Sequence, residues 1–200
     1  MGQVSTGKPP VGFISPAWSL SRNLQDVLSE MDYLYDTSSF PSPLIIPLIA
    51  KVFLNQPFNQ RTRCIIKRTN ILVQSFSQRK ESFISTGLGR RKGIWEFPLP
   101  ANSMRVPVWH TLGYVLGWKF QKQILRSCLR REWFYYLCHP ADLLDPKEIC
   151  AYGGSHRLTR SGVSLEEKEA RFEEMVSLIV QSSSKVVTFD KMVAEVTHDG

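Results

Sequence analysis

The sequence predicts an α/β fold with a mainly parallel sheet, because short β-type runs alternate with helical patterns along the chain. The first observation is that residues 10–38 follow the order strand, helix, strand. The second is an aromatic run at 133–138, which lies between a long helical pattern and the clearest amphipathic helix. The chain has 200 residues, 42% of them hydrophobic, so we expect a single domain over 1–200.

The first three predicted elements are a strand over residues 10–18, a helix, and a second strand over 33–38. Ser15 precedes Pro16 and is pushed out of the helical region, which ends the first strand in a loop. Ser21 offers a hydroxyl as N-cap. Apolar residues then recur at i, i+3, i+4 and i+7, namely Leu24, Val27, Leu28 and Met31. That spacing predicts a helix whose apolar face packs on a sheet.

The later elements follow from the same reasoning about period and residue type. Residues 93–98 are a strand candidate, stopped by Pro98 and Pro100. The remaining predictions, in chain order, are a long helix over 108–132, a strand buried on both faces at 133–138, an amphipathic helix that starts at the acidic residues 166, 167 and 169, a strand at 185–189, and a short helical turn around Met192.

The hydrophobic pattern and the cysteines exclude several classes of protein. The apolar stretch 42–54 is interrupted by Pro43, Pro47 and Lys51 and is shorter than the roughly 20 residues of a transmembrane helix. Residues 1–10 are polar and lack the apolar core of a signal peptide, so we expect a cytoplasmic protein. The four cysteines show neither a CxxC pair nor zinc-ligand spacing, which argues against a metal knuckle.

The positive charge of the chain is concentrated in residues 41–93, which we interpret as a basic insertion. Between Lys51 and Gly93, ten Lys/Arg stand against Glu81 alone, whereas the rest of the chain has 15 Lys/Arg and 17 Asp/Glu. Either this segment is a solvated surface, or its mixture of basic and apolar residues makes peripheral membrane contact through 51–93. No nucleic-acid-binding motif accompanies the charge, which argues against nucleic acid as a partner.

Three sequence stretches occur in a fixed order along the chain. The first is Gly-Phe-Ile-Ser-Pro-Ala-Trp-Ser at 12–19, followed by Tyr-Leu-Tyr-Asp-Thr-Ser at 33–38. The second is Ile-Trp-Glu-Phe-Pro at 94–98, and the third is Phe-Tyr-Tyr-Leu-Cys-His-Pro at 134–140. Together they resemble the later motifs of the polysaccharide deacetylase family, which includes chitin and peptidoglycan deacetylases. The chain therefore resembles the C-terminal part of that family's catalytic domain, over most residues outside 41–93.

This resemblance implies a partial or distorted (β/α) barrel with its site at the C-terminal ends of the strands. It also implies hydrolysis of an N-acyl group on a sugar or a lipid-linked sugar. In the family a divalent metal, usually zinc, activates water, and a late histidine protonates the leaving amine. By resemblance His139 is the proton donor, and Trp18 and Glu96 are expected to line the substrate cleft.

Each of these residues also has a structural interpretation. His139 can be a hydrogen-bonded histidine at a strand end. Trp18 either stacks on a sugar ring or belongs to the core, and Glu96 either lines the cleft or faces solvent at an alternate strand position. Three further residues are interpreted as structural: Asp36 and Asp142 as turn or capping residues, and His110.

The sequence also departs from the family pattern. The paired Asp motif and the His-x-x-x-His metal motif of the family have no counterpart here, and the four histidines are isolated. Ile14 stands where the family has an arginine that orients the catalytic base. We therefore expect no cofactor in this chain and no hydrolysis by this chain alone.

Two further expectations follow from that departure. The alternative function is a non-catalytic protein that binds carbohydrate or a lipid-linked sugar and keeps the cleft without the metal. A barrel without its first strands would leave sheet edges and apolar helix faces uncovered, so we also expect self-association.

Overall fold

A computed structural model describes residues 9–18, 20–44, 46–47, 75–85, 93–145, 147–148 and 162–198. Contacts between Cα atoms group the chain into two compact units. The first unit comprises Met1–Leu99 and Val187–Gly200, and the second comprises Pro100–Val186.

The described elements are four strands and five α-helices. In chain order they are β1 (Gly12–Phe13), α1 (Arg22–Glu30), β2 (Tyr35–Asp36), β3 (Ser82–Ser85), β4 (Gly93–Glu96), α2 (Leu112–Leu116), α3 (Trp118–Cys128), α4 (Leu165–Ser182) and α5 (Phe189–His198). Two short 3-10 turns lie at Pro16–Trp18 and Pro140–Asp142.

The first unit contains a four-stranded sheet in the order β1-β2-β4-β3. Strands β1, β2 and β4 are parallel, and β3 runs antiparallel to β4. The prediction of an α/β fold with a mainly parallel sheet is therefore confirmed. Within the described residues the sheet is not closed, since β1 and β3 form its two edges, and a barrel is not shown.

Strand β3 lies inside the segment 41–93 and was not predicted from the sequence. Its residues alternate between half-buried and exposed, and its register places Phe83 opposite Trp95 and Ile84 opposite Ile94. Such a short strand is defined by its partner β4 rather than by a strong local pattern. Residues 48–74 and 86–92 of the basic insertion lie outside the described residues, and so does most of the surface predicted to contact a membrane.

Helix α1 begins at the predicted N-cap and packs on the sheet, and it buries Leu28 of the predicted apolar face. The Ser21 hydroxyl accepts a hydrogen bond from the Leu24 N–H at 3.2 Å. Val27 and Met31, predicted to pack on the sheet, are 48% and 63% exposed, whereas Gln25 is buried. The helix lies against β4, where the Gln25 amide bonds the Glu96 carboxyl. The buried face of α1 therefore combines the apolar Leu28 with the polar Gln25, which bonds to the sheet.

The helix predicted over 108–132 is two helices, α2 and α3. They are separated by Gly117, whose φ of 86° lies in the left-handed region that glycine adopts without a steric penalty. Both helices bury residues in the second unit, so buried positions occur on both sides of this break. Periodicity alone did not reveal the interruption.

Two predicted strands are wrong. Residues 134–139 and 185–188 have no regular secondary structure, and Phe189 begins α5. The Leu137 carbonyl accepts a hydrogen bond from the His110 N–H at 2.8 Å, which joins it to the turn before α2 rather than to a strand. Aromatic composition predicted burial correctly for Phe134 and Tyr136, which pack on the core of the second unit. A strand also requires a neighbour for its backbone groups.

The core of the second unit forms where α3 meets α4. Its buried cluster consists of Val108, Ile124, Leu125, Cys128 and Met175. The amphipathic helix predicted from its acidic start is confirmed as α4, and the Ser164 hydroxyl caps it by accepting the Glu167 N–H at 3.3 Å. Among the helices in the described part of the chain, none is both long and apolar enough to cross a bilayer.

Candidate functional site

Two carboxyl groups lie side by side at the carboxyl ends of neighbouring strands in the first unit. Asp36 ends β2 and Glu96 ends β4, and the parallel register pairs these two residues. Paired residues on adjacent strands point to the same face, with strands about 4.8 Å apart. Asp36 is 0% exposed and Glu96 is 7% exposed. Two acidic side chains are therefore neighbours within the interior of the unit.

The hydrogen bonds of the pair leave one oxygen without a partner. Asp36 Oδ1 accepts bonds from the Ser38 N–H at 3.1 Å and from the Ser38 hydroxyl at 2.5 Å. Ser38 Oγ in turn accepts the Ser15 N–H at 2.7 Å. Glu96 Oε2 accepts a bond from Gln25 Nε2 at 2.7 Å. Asp36 Oδ2 is buried and has no hydrogen-bond partner among the described residues.

Burial dominates the electrostatics of this pair. The pKa of Asp36 is raised to about 6; burial is the largest cause and the nearby Glu96 charge acts in the same direction, while the bonds from Ser38 and Thr37 lower it. Burial also raises the pKa of Glu96, against the lowering effect of its bonds from Ser39 and Gln25. The arrangement can therefore accept hydrogen bonds and exchange a proton close to neutral pH.

Trp18 lies at the same end of the sheet, since it follows the parallel strand β1. The tryptophan closes the 3-10 turn, its backbone N–H donates to the Ser15 carbonyl at 3.1 Å, and its φ of 51° is unusual for a non-glycine residue. Its ring centroid lies 5.0 Å from that of the buried Phe40. The side chain is half-buried, so one part of it packs on the interior and another part is accessible.

His139 belongs to the second unit, whereas Trp18 and Glu96 belong to the first. The histidine is exposed, and its backbone N–H donates to Asp142 Oδ2 at 2.8 Å. Asp142 is fully buried and also accepts the Thr111 hydroxyl at 3.1 Å. Asp142 thus acts as the turn residue that the sequence predicts, and it holds the backbone of His139 rather than its ring.

Asp36 is the residue that sequence reasoning underestimated. Its local bond from the Ser38 N–H matches the predicted capping role, but its burial beside Glu96 depends on strand pairing. The signal that could have identified it is its position near the end of a predicted strand of a mainly parallel sheet, where ligands bind. Within the described ranges, no group of three or more His, Cys, Asp or Glu side chains could hold a metal ion.

Comparisons with protein-family models, with curated proteins and with solved structures return no match to this chain.

Proposed function

We propose that the first unit binds carbohydrate, or the sugar of a lipid-linked sugar, at the carboxyl ends of β2 and β4. The observation that carries this proposal is the buried pair of Asp36 and Glu96, in which Asp36 Oδ2 has no partner among the described residues. A carboxylate only accepts hydrogen bonds, and a sugar presents many hydroxyl donors. A sugar hydroxyl would supply the donor that Asp36 lacks.

The position of the pair and its neighbours support the same proposal. Ligands of parallel α/β sheets bind beyond the carboxyl ends of the strands. The half-buried ring of Trp18 offers apolar surface for a pyranose ring at that end. Because Asp36 is fully buried, binding includes a local opening of the residues that cover it.

Calorimetric titration with oligomers of N-acetylglucosamine tests this binding. We expect Asp36→Asn and Glu96→Gln each to weaken it by about 10-fold or more, because each removes a charged acceptor. Glu30→Gln and Asp32→Asn are the matched controls, since both side chains are exposed and lose the same charge. Equal affinity in all four variants, or no binding of any oligomer by the unsubstituted chain, would reject the proposal.

A second candidate is the amide hydrolysis implied by the polysaccharide deacetylase resemblance. In this proposal the parallel strands would belong to a distorted (β/α) barrel, and His139 would protonate the leaving amine. A divalent metal would supply the activated water in that family, but no group of described residues fits such a metal. The specific observation in its favour is the turn of His139, which the buried Asp142 holds through the histidine N–H. A fixed backbone limits the positions that the imidazole can take.

Acetate release from the same oligomers, with and without added zinc, tests hydrolysis separately from binding. We expect His139→Ala to lower any zinc-dependent release by about 100-fold or more. No release at any zinc concentration would reject hydrolysis by this chain and would leave the result of the binding titration unchanged.

A further inference from the structure

The outer face of α3 carries a row of exposed polar side chains. Lys119, Gln123 and Arg126 follow one another at i, i+4 and i+7, a spacing that places them on one helical face, and the exposed Arg130 lies in the turn that follows the helix. The opposite face is buried and consists of Gln121, Ile124, Leu125 and Cys128. We call Lys119, Arg126 and Arg130 the basic stripe. It extends along α3 and into the turn that follows the helix.

The charges of the basic stripe are not neutralised. Within the described part of the chain none of its three side chains takes part in an ion pair. The neighbouring Lys122 differs, because its Nζ lies 2.6 Å from a Glu174 carboxyl oxygen. The sequence between Glu96 and Glu132 contains no acidic residue. This face therefore presents a concentrated positive charge to solvent.

Large apolar side chains are exposed on α3 and at the end of α2. Phe120 of α3 is 44% exposed, and Val115 and Leu116, which end α2 directly before α3, are 47% and 39% exposed. In the head-group region of a bilayer, apolar side chains are removed from water and cationic side chains are attracted to anionic lipids. Both effects favour binding of a surface that carries the two kinds of side chain together. A nucleic-acid backbone would match the cations but would leave these apolar groups without a comparable environment.

Three glutamates of α4 lie on the side of that helix away from α3, whereas Glu174 pairs with Lys122 of α3 and Glu132 is exposed shortly after the end of α3. Helix α4 packs on the buried face of α3, where Met175 joins the cluster of Ile124 and Leu125. Glu166, Glu169 and Glu173 are exposed on α4, and their helical spacing places them roughly opposite Met175. This separation of charge would orient the unit on an anionic surface with the basic stripe inward.

We propose that the α2–α3 face docks on the surface of an anionic phospholipid membrane. The basic stripe would contact the head groups, and Val115, Leu116 and Phe120 would enter the interfacial layer. This proposal concerns the second unit and does not depend on the carbohydrate site of the first.

Co-sedimentation of the full chain with phosphatidylcholine vesicles, with and without phosphatidylserine, tests the proposal. The triple variant K119Q/R126Q/R130Q is expected to bind phosphatidylserine vesicles on the order of 100-fold more weakly, at about 1 kcal/mol for each cation. The control K80Q/K147Q/K191Q removes three exposed lysines elsewhere. It should change binding by less than about threefold. Phe120→Ser should weaken binding by about fivefold.

Three outcomes would overturn the proposal. The first is equal loss of binding in the triple variant and its control, which would indicate an effect of net charge. The second is vesicle binding that the triple variant retains in full, which would place any membrane contact elsewhere, for example in residues 51–93. The third is binding of duplex DNA that the triple variant loses while it retains vesicle binding, which would assign the basic stripe to nucleic acid. Far-ultraviolet circular dichroism establishes that the triple variant keeps its helices.

Discussion

At pH 8, Asp36→Asn is expected to raise the free energy of unfolding of the first unit by about 2 to 3 kcal/mol, and at pH 4 to change it little. The pKa of Asp36 is raised from 3.8 to about 6 in the folded chain. A raised pKa means that folding disfavours the ionised form. The stability associated with the neutral carboxyl is therefore present below pH 3.8 and is lost as the pH rises through 6. Asparagine does not titrate and avoids this loss.

Urea denaturation of both chains between pH 4 and pH 8 measures this difference. Glu96→Gln should act in the same direction, because burial also raises the pKa of Glu96. Glu30→Gln is the control, since it removes the same charge from an exposed side chain. A pH-independent difference between Asp36→Asn and the unsubstituted chain would contradict the predicted titration.

The same variant separates a functional role of Asp36 from a structural one. A residue whose role is packing should raise the free energy of unfolding. A residue whose role is ligand binding can lower the free energy of unfolding, because function compensates for the lost stability. We expect Asp36→Asn to gain stability at pH 8 and to lose affinity for the sugar oligomer. A loss of stability together with unchanged binding would assign Asp36 a structural role.

Gly12→Ala is expected to lower the free energy of unfolding of the first unit by about 2 to 3 kcal/mol. A Cβ atom at Gly12 would lie 2.0 Å from Cζ and 2.4 Å from the hydroxyl oxygen of Tyr35. The tyrosine ring has little room to move, because it stacks on Phe189 at 4.5 Å and meets Phe97 edge-on at 6.2 Å. The added methyl group must therefore displace either the ring or strand β1.

A double-mutant cycle with Tyr35→Leu tests this explanation. The smaller side chain should make Gly12→Ala less costly, so the two changes should be non-additive by about 1 kcal/mol or more. Gly162→Ala is the matched control, because no atom of the described residues lies within 4 Å of its added Cβ. If Gly12→Ala costs the same in the Tyr35→Leu background as in the unsubstituted chain, the predicted clash is contradicted.

The elements that the sequence predicts well are those with strong local signals. The N-cap hydroxyl of Ser21 positions the start of α1, and the acidic first turn that contains Glu166 and Glu167 positions α4. Residue composition was less informative at 134–139, which is rich in aromatic residues, and at 185–188, which contains Val186 and Val187. It indicated burial, but a strand also needs a neighbouring strand, and that requirement is not encoded locally.

The predicted site residues show the same division. Glu96 was selected from a short motif and is buried at a strand end beside Asp36, whereas Asp36 itself was assigned only a capping role. Trp18 packs on Phe40 while remaining half-buried, and it therefore keeps features of both interpretations. His139 lies in the second unit, where Asp142 holds its backbone.

The sequence by itself determined the α/β class, the start of α1, the amphipathic helix α4 and the basic character of α3. These properties depend on residues within one or two turns of each other, or on composition alone. Only the tertiary structure decided that Asp36 lies beside Glu96 with one oxygen lacking a partner among the described residues, and that the cations of α3 face solvent. The physical reason is that register and burial, which set solvation and pKa, arise from contacts between residues far apart in the chain.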